Sequence, residues 1–211
     1  MEPDFAKMRT HMIDSQLRPN TVVDPALIKA FRSVPRERYV PAAMRSFAYH
    51  DEDIEIADGR FLMEPLTLGR LLSAARVRAG ERVLIIGGGT GYSAALLTEM
   101  GADVVLLEEE AFSGDIVKGD GISVSRGPLS EGVSDSAPYD LVLIEGTVEQ
   151  VPAALIEQVA EGGRIVGVVV EEGVARAGLG KVYSGHVGWS WFFDANVPAL
   201  PGFSKKREFV F

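Results

Sequence analysis

The sequence predicts an α/β fold with a doubly wound, mostly parallel sheet, and three observations support this. Short apolar runs at 82–86, 103–107, 139–144 and 164–170 have the near-continuous pattern of strands buried on both faces. Helical patterns lie between these runs, which is typical of βαβ units with right-handed crossovers. Beyond residue 180 the pattern changes to strands separated by a glycine turn, which predicts antiparallel strands at the end of the sheet.

The first sixty residues are expected to form helices interrupted by proline. Asp24 and Pro25 supply an N-cap and a first-turn proline for a helix over 26–34. We expect one domain, in which residues 1–65 form a helical cap and a substrate loop, and residues 66–211 form the sheet core that binds the cofactor.

The remaining elements follow from the same periodicities. Apolar residues recur at helical spacing from 66 to 77 and end at an Ala-Gly pair, which predicts a helix leading into the first core strand. Two further helices are expected, at 91–100 and 152–160. The C-terminal strands are expected at KVYS (181–184), WSWFF (189–193) and REFVF (207–211).

Composition restricts the functional classes. The chain has 211 residues, 46% of them hydrophobic, which is enough for one substantial core. It contains no cysteine, which removes disulfides and thiolate chemistry and favours a reducing compartment such as the cytoplasm. No apolar run has the length of a signal peptide core or a membrane span, so membrane partners are not expected. A net charge of −9 argues against nucleic-acid partners.

A glycine-rich loop, 87–92 (GGGTGY), lies between the first core strand and the following helix. Bare backbone there lets a ligand approach the helix N-terminus closely. The dinucleotide pattern G-x-G-x-x-G would need a small residue where Tyr92 stands, and the lysine of a phosphate-binding loop is absent.

Acidic residues follow the next predicted strand, where a carboxylate can accept hydrogen bonds from two ribose hydroxyls. Together with the glycine loop they predict a site for S-adenosylmethionine. The alternative is a tight turn followed by a solvated strand end. The residues expected to contact the cofactor are Gly87, Gly88, Gly89, Thr90, Gly91, Tyr92, Glu108 and Glu109.

Other chemistries lack the residues they need. There is no G-x-S-x-G elbow, and the three histidines, His11, His50 and His186, do not have metal-ligand spacing, so no metal site is expected. Trp189 and Trp191 share one face of a strand and are expected to be packing residues.

Beyond these residues, the chain resembles the protein-L-isoaspartate O-methyltransferase family over most of its length. The resemblance implies a Rossmann-like S-adenosylmethionine-dependent methyltransferase fold, and methyl transfer to the carboxyl group of damaged aspartyl residues in protein or peptide substrates. The matching segments are MIDSQLRPN (12–20), VPRERYVP (34–41), AYHDEDIEI (48–56), DGRFLMEP (58–65), VLIIGGGTGYSAALL (83–97), the Glu108 cluster and APYDLVLIEGTVEQVP (137–152).

The sequence departs from the family pattern at several site positions. Family members carry a hydroxyl residue that helps to hold the substrate carboxyl where this chain has Met63, and Glu64 follows it. Acidic residues of the family pattern are replaced by Ile85 and Pro128, and the stretch 109–126 is shortened and rich in glycine where a helix is usual.

The substrate loop therefore raises a question about activity. If the Glu64 carboxylate faces the site, it repels an acceptor carboxylate about 4 Å away by about 4 kcal/mol, and Met63 supplies no hydrogen-bond donor. We therefore expect weak or no methylation of isoaspartyl peptides. Three hypotheses stay open: a methyltransferase of this family, with the same or an altered substrate; a non-catalytic relative that binds or regulates; and an unrelated nucleotide-binding enzyme. The oligomeric state is not predicted.

Overall fold

A central sheet of seven strands organises the protein in the computed structural model, which describes residues 3–117 and 119–205. The strands of the molecule are β1 (Ile54–Ala57), β2 (Arg60–Leu62), β3 (Arg82–Ile86), β4 (Asp103–Glu108), β5 (Ile122–Arg126), β6 (Tyr139–Val148), β7 (Val159–Glu171), β8 (Val174–Tyr183) and β9 (His186–Asp194). The α-helices are α1 (Phe5–Met12), α2 (Pro25–Ser33), α3 (Pro65–Ala75), α4 (Tyr92–Glu99) and α5 (Ala153–Ile156).

The order of the central sheet is β5-β4-β3-β6-β7-β8-β9. Strands β5 to β7 in that order are parallel, and β8 and β9 are antiparallel. The predicted fold class, a mostly parallel sheet with antiparallel C-terminal strands, is confirmed. The four predicted core strands correspond to β3, β4, β6 and β7, and β3 lies between β4 and β6 with every residue after Arg82 buried.

The helical cap packs on one face of this sheet. Helix α2 begins where predicted, since the Asp24 carboxylate accepts a hydrogen bond from the Leu27 amide at 2.9 Å. Its buried face includes Leu27 and Phe31, which belong to the same core cluster as β3 and β4. Within the described residues, no helix is both long and apolar enough to cross a bilayer.

Two expectations about the secondary structure were wrong. Of the helix predicted over 152–160, only the short helix α5 forms. Gln158 is buried, and its side-chain amide donates hydrogen bonds to the carbonyl oxygens of Glu131 and Ala154. Strand β7 starts directly after Gln158, which leaves no room for a longer helix. The first sixty residues are not purely helical, since β1 and β2 form an antiparallel hairpin.

Other boundaries also differ from the sequence predictions. Strand β5 was not predicted, because its sequence ISVSR mixes apolar and polar residues instead of forming an apolar run, and none of its residues is fully buried. Strand β8 starts well before residue 181, and it joins β9 through a two-residue turn at Ser184 and Gly185, both with positive φ. The strand expected at 207–211 lies outside the described residues.

Two segments cover the carboxyl ends of the parallel strands. The β1–β2 hairpin brings Ile56 against the glycine loop. The second segment is residues 197–200, which we call the C-terminal strap, and Thr147 holds it on β6. The Thr147 backbone amide donates a hydrogen bond to the Pro198 carbonyl oxygen at 2.9 Å, and its hydroxyl donates one to the Val197 carbonyl oxygen at 2.6 Å. Both segments therefore lie over the sheet edge where the predicted site residues are found.

Candidate functional site

The glycine loop connects β3 to α4 at the carboxyl end of the sheet, as predicted. Gly87, Gly89 and Gly91 have φ values of 71°, 53° and 93°, which side chains other than glycine rarely adopt. Gly91 is the N-cap of α4, and no side chain caps that helix end. The first amides of α4 therefore have no side-chain partner among the described residues and could serve a ligand once the covering side chains move.

The carboxylate of Glu108 faces this loop from the end of β4. Glu108 is fully buried. Its Oε2 accepts a hydrogen bond from the Gly89 amide at 2.8 Å, and its Oε1 accepts one from the Glu109 amide at 2.9 Å. The glycine loop and the predicted ribose-binding carboxylate are thus brought together, whereas Glu109 is partly exposed beside them.

Arg60, at the start of β2, holds the Glu108 carboxylate from the opposite side. Its two terminal nitrogens donate to the two carboxylate oxygens, with Nη2 at 3.0 Å from Oε2, and Nη2 also donates to the Gly87 carbonyl oxygen at 3.0 Å. The exposed fractions of the two side chains are 8% and 0%. This buried ion pair joins the β1–β2 hairpin to the glycine loop.

Apolar side chains cover the rest of the loop. A Cβ atom placed on Gly87 would lie 2.7 Å from Leu200 of the C-terminal strap and 3.0 Å from Arg60. A Cβ on Gly89 would overlap Ile56 of the hairpin. The surface on which a ligand would lie is therefore covered in this conformation by side chains of the protein itself.

Thr90 and Tyr92 support the loop from inside. The Thr90 hydroxyl donates to the Tyr39 carbonyl oxygen at 2.6 Å. The Tyr92 ring is fully buried, with its centroid 5.4 Å from that of Tyr39 and 5.0 Å from the Arg36 guanidinium carbon. Burial raises the pKa of Tyr92, and Arg36 opposes the shift. Both residues, predicted to contact the cofactor, contact the helical cap.

The structure places the two substrate-loop residues in different surroundings. Met63 is buried and lines a small cavity of about 10 Å³, and its carbonyl oxygen accepts a hydrogen bond from Arg36 at 2.7 Å. The Glu64 carboxylate instead accepts a hydrogen bond from the Thr67 hydroxyl in the first turn of α3. Burial raises the pKa of Glu64, with Asp51 and Asp53 adding to the shift. Glu64 does not line the cavity that Met63 lines.

A second carboxyl group, Glu145, lines the same cavity as Met63. It is 6% exposed, and its Oε1 has no hydrogen-bond partner. Burial raises the pKa of Glu145 and the Glu108 carboxylate adds to the shift, whereas Ser93, Arg60 and Arg36 oppose it; the resulting pKa is about 7. Neither Glu145 nor Arg60 was predicted from the sequence as a site residue. The signal for Glu145 was available, since it directly follows the apolar run 139–144 as Glu108 follows 103–107.

The buried carboxyl of Glu145 should make stability depend on pH. Its pKa rises from 4.5 to about 7 on folding, so the destabilisation is absent below about pH 4 and complete above about pH 7. We expect Glu145→Gln to be more stable than wild type by on the order of 3 kcal/mol at about pH 8, and by much less at about pH 4. Urea denaturation at both pH values measures this, and an equal difference at both would contradict it.

A larger open groove, about 720 Å³ in volume, lies at the amino-terminal end of the sheet. Its lining includes Arg70, Arg76, Arg164 and Lys181, and it contains none of the predicted site residues. The chemistry predicted from the sequence therefore belongs to the opposite end, around the glycine loop.

Comparison with known proteins shows the family to which this chain belongs. The family model described as protein-L-isoaspartate(D-aspartate) O-methyltransferase matches residues 7–177. A protein-L-isoaspartate O-methyltransferase of Koribacter versatilis (strain Ellin345) is 38% identical over 169 residues, which cover 77% of this chain and 76% of the relative.

Solved structures support the fold. A protein-L-isoaspartate O-methyltransferase structure superposes with a TM-score of 0.77 at 23% identity and covers 93% of this chain, which spans only 65% of that protein. A second structure, from Plasmodium falciparum and described as that enzyme in complex with S-adenosyl-L-homocysteine, superposes with a TM-score of 0.72 at 16% identity, covering 94% of this chain and 99% of that one. The family predicted from the sequence motifs is confirmed, and with it the class of methyltransferases: this chain belongs to the protein-L-isoaspartate(D-aspartate) O-methyltransferase family.

Proposed function

We propose that this protein transfers a methyl group from S-adenosylmethionine to the side-chain carboxyl of isoaspartyl residues in proteins or peptides. Family membership supports this activity, because curated relatives at 34–38% identity carry the name of that enzyme. The structural observation that carries the proposal is the buried Glu108 carboxylate beside the glycine loop, at the carboxyl end of a parallel sheet.

The residue types at this edge fit the cofactor. Glu108 offers a carboxylate for two ribose hydroxyls, and Gly87, Gly89 and Gly91 offer close backbone approach at the start of α4. Arg60 now occupies the hydrogen-bonding positions of that carboxylate. Cofactor binding at Glu108 therefore requires the Arg60 guanidinium to leave it and the Leu200 side chain to move off Gly87.

The chemistry places few demands on the protein. The bound cofactor would supply a methyl group on a sulfonium centre. An aspartyl-type carboxyl has an ordinary pKa of about 4, so the acceptor is already ionised at neutral pH and needs no general base. The protein's contribution is then to hold and align the two reactants and to exclude water. Met63 and the C-terminal strap, which line the small cavity, are placed for the last of these roles.

The structure changes the expectation about the substrate loop. The Glu64 carboxylate accepts a hydrogen bond from Thr67, so its repulsion of an acceptor carboxylate is reduced. The hydrogen-bond donor that is missing at Met63 is not replaced within the loop. We therefore expect measurable transfer by wild type and a several-fold lower KM for the peptide in Met63→Ser. The measurement is transfer of labelled methyl from S-adenosylmethionine to an isoaspartyl peptide.

Controls make this measurement specific. The same peptide with a normal aspartyl residue should accept no label, and Glu157→Gln, which removes one exposed charge outside the site, should behave as wild type. If S-adenosylhomocysteine binds and no variant transfers methyl to the isoaspartyl peptide, the proposed function is wrong.

The cytoplasmic location and the single domain expected from the sequence stay predictions.

A further inference from the structure

We infer that Glu145, in its protonated form, is the hydrogen-bond donor that receives the acceptor carboxylate, in place of the hydroxyl residue missing at Met63. The inference rests on the proposed function, since it concerns the same reaction. It adds to that function a substrate-binding residue that lies outside both the glycine loop and the substrate loop.

Glu145 lies at the same end of the sheet as the predicted site residues. It lies near the carboxyl end of β6, the strand beside β3, and so faces the same sheet edge as the glycine loop. Met63 and Glu145 line one small cavity, which is closed by the C-terminal strap from Val197 to Leu200. The cavity measures only about 10 Å³, so the strap has to move before an acceptor carboxyl can enter; one that then approaches position 63 also approaches the Glu145 carboxyl.

The hydrogen bonding of the Glu145 carboxyl is incomplete. Its Oε1 is buried without a partner, and buried polar atoms are nearly always hydrogen-bonded. Arg36 Nη1 and Tyr92 OH are also buried without hydrogen-bond partners among the described residues, whereas the Ser93 hydroxyl lies close enough to the Glu145 carboxyl to lower its pKa. Because Glu145 lines the small cavity, a polar group that enters there would complete the hydrogen bonding of its Oε1.

The charges around Glu145 determine its protonation. Glu108 on β4 favours the neutral carboxyl, whereas Arg60 on β2, Arg36 in the cap and the Ser93 hydroxyl on α4 favour the carboxylate. Burial exceeds these opposing effects, and the pKa of Glu145 is about 7. Near neutral pH a substantial fraction of the molecules therefore has a proton on this carboxyl, which makes it a donor.

A neutral carboxyl and an ionised one have opposite effects on the acceptor. The protonated group donates its O–H to one oxygen of the acceptor carboxylate, and the other oxygen stays free to form the bond to the methyl carbon as the carbon–sulfur bond breaks. The proton stays on Glu145 throughout. The ionised group instead repels the acceptor. Because the acceptor loses charge as the methyl transfers, the hydrogen bond is stronger to the bound substrate than to the transition state, so losing the donor should raise KM without lowering kcat.

The test is peptide binding to the protein saturated with S-adenosylhomocysteine, measured by calorimetry at about pH 6 and about pH 8. If only the protonated form binds, wild type should lose about tenfold in affinity between these values. Glu145→Gln keeps a neutral donor and should show no such loss. Glu145→Met has similar length and no donor, and should bind weakly at both. Glu157→Gln, an exposed single-charge control, should follow wild type.

A second measurement is made on the wild-type protein and uses a variant only to assign one resonance. In wild type labelled with carbon-13 at the glutamate carboxyls, one resonance, absent from Glu145→Gln, should titrate near pH 7 and move to higher pH on addition of the isoaspartyl peptide. A resonance that titrates near pH 4.5, or one that the peptide leaves unchanged, would overturn the inference.

The outcomes separate this inference from the proposed function. Methyl transfer with a KM independent of pH would keep the function and overturn the role of Glu145. Peptide binding that weakens as pH rises, without any methyl transfer, would keep the role of Glu145 and overturn the function. If Glu145→Gln weakens binding of S-adenosylhomocysteine while peptide binding is unchanged, Glu145 faces the cofactor and the inference is wrong.

Discussion

Arg60→Met is expected to lower the free energy of unfolding by about 3–5 kcal/mol, because it leaves the fully buried Glu108 carboxylate without its cation. The remaining partners, the Gly89 and Glu109 amides, are neutral. The loss in Arg60→Met is therefore expected to be that of a buried carboxylate left without a charged partner. Urea denaturation followed by circular dichroism measures it.

Two further variants isolate the ion pair as the cause. Arg18→Met removes a cation whose partner is Asp14, and because both side chains are 50% exposed the change should be within about 0.5 kcal/mol. The double variant Arg60→Met with Glu108→Leu replaces the pair by apolar groups and should recover most of the loss. A double variant as unstable as the sum of the single changes would show that the two residues act independently.

Glu108→Gln is expected to weaken binding of S-adenosylhomocysteine at least tenfold. Hydrogen bonds to a charged acceptor contribute about 1.5–3 kcal/mol each, and each 1.4 kcal/mol is a factor of ten. Arg60→Met should have the opposite effect and tighten binding, because the ligand no longer competes with a guanidinium for the Glu108 carboxylate. Calorimetric titration of wild type and both variants tests the pair of effects.

The neighbouring acid provides the comparison for this prediction. Glu109 is adjacent in sequence and 35% exposed, and Glu109→Gln should change the affinity by less than about twofold. If Glu109→Gln weakens binding while Glu108→Gln does not, the ribose contact belongs to Glu109 instead.

The sequence predicts the central sheet well because its core strands are buried on both faces and leave a continuous apolar signal. Strand β5 gives no such signal, since its residues at the edge of the sheet are either half-buried or exposed and its sequence mixes apolar and polar residues. The helix expected at 152–160 ends after one turn because Gln158 is bonded to segments distant in sequence, such as that of Glu131. Local pattern cannot show such a contact.

In the candidate site, too, local features were predictable from the sequence and contacts between distant residues were not. The glycine loop and Glu108 were found because position after a strand is a local feature. Arg60 was missed because its partner lies 48 residues away, and its role appears only when β2 folds over β4. Glu64 and Met63 are adjacent in sequence, yet only Met63 lines the small cavity, because the first turn of α3 supplies Thr67 to bond the Glu64 carboxylate.

If Glu108 exchanges Arg60 for the cofactor, an experimental structure of the complex with S-adenosylhomocysteine will show the exchange. We expect both ribose hydroxyls within hydrogen-bond distance of the Glu108 carboxylate, with the Arg60 guanidinium displaced from it and Leu200 moved off Gly87. A bound ligand that leaves the Arg60–Glu108 pair intact, or that lies in the groove beside Arg70 and Lys181 at the other end of the sheet, would contradict it.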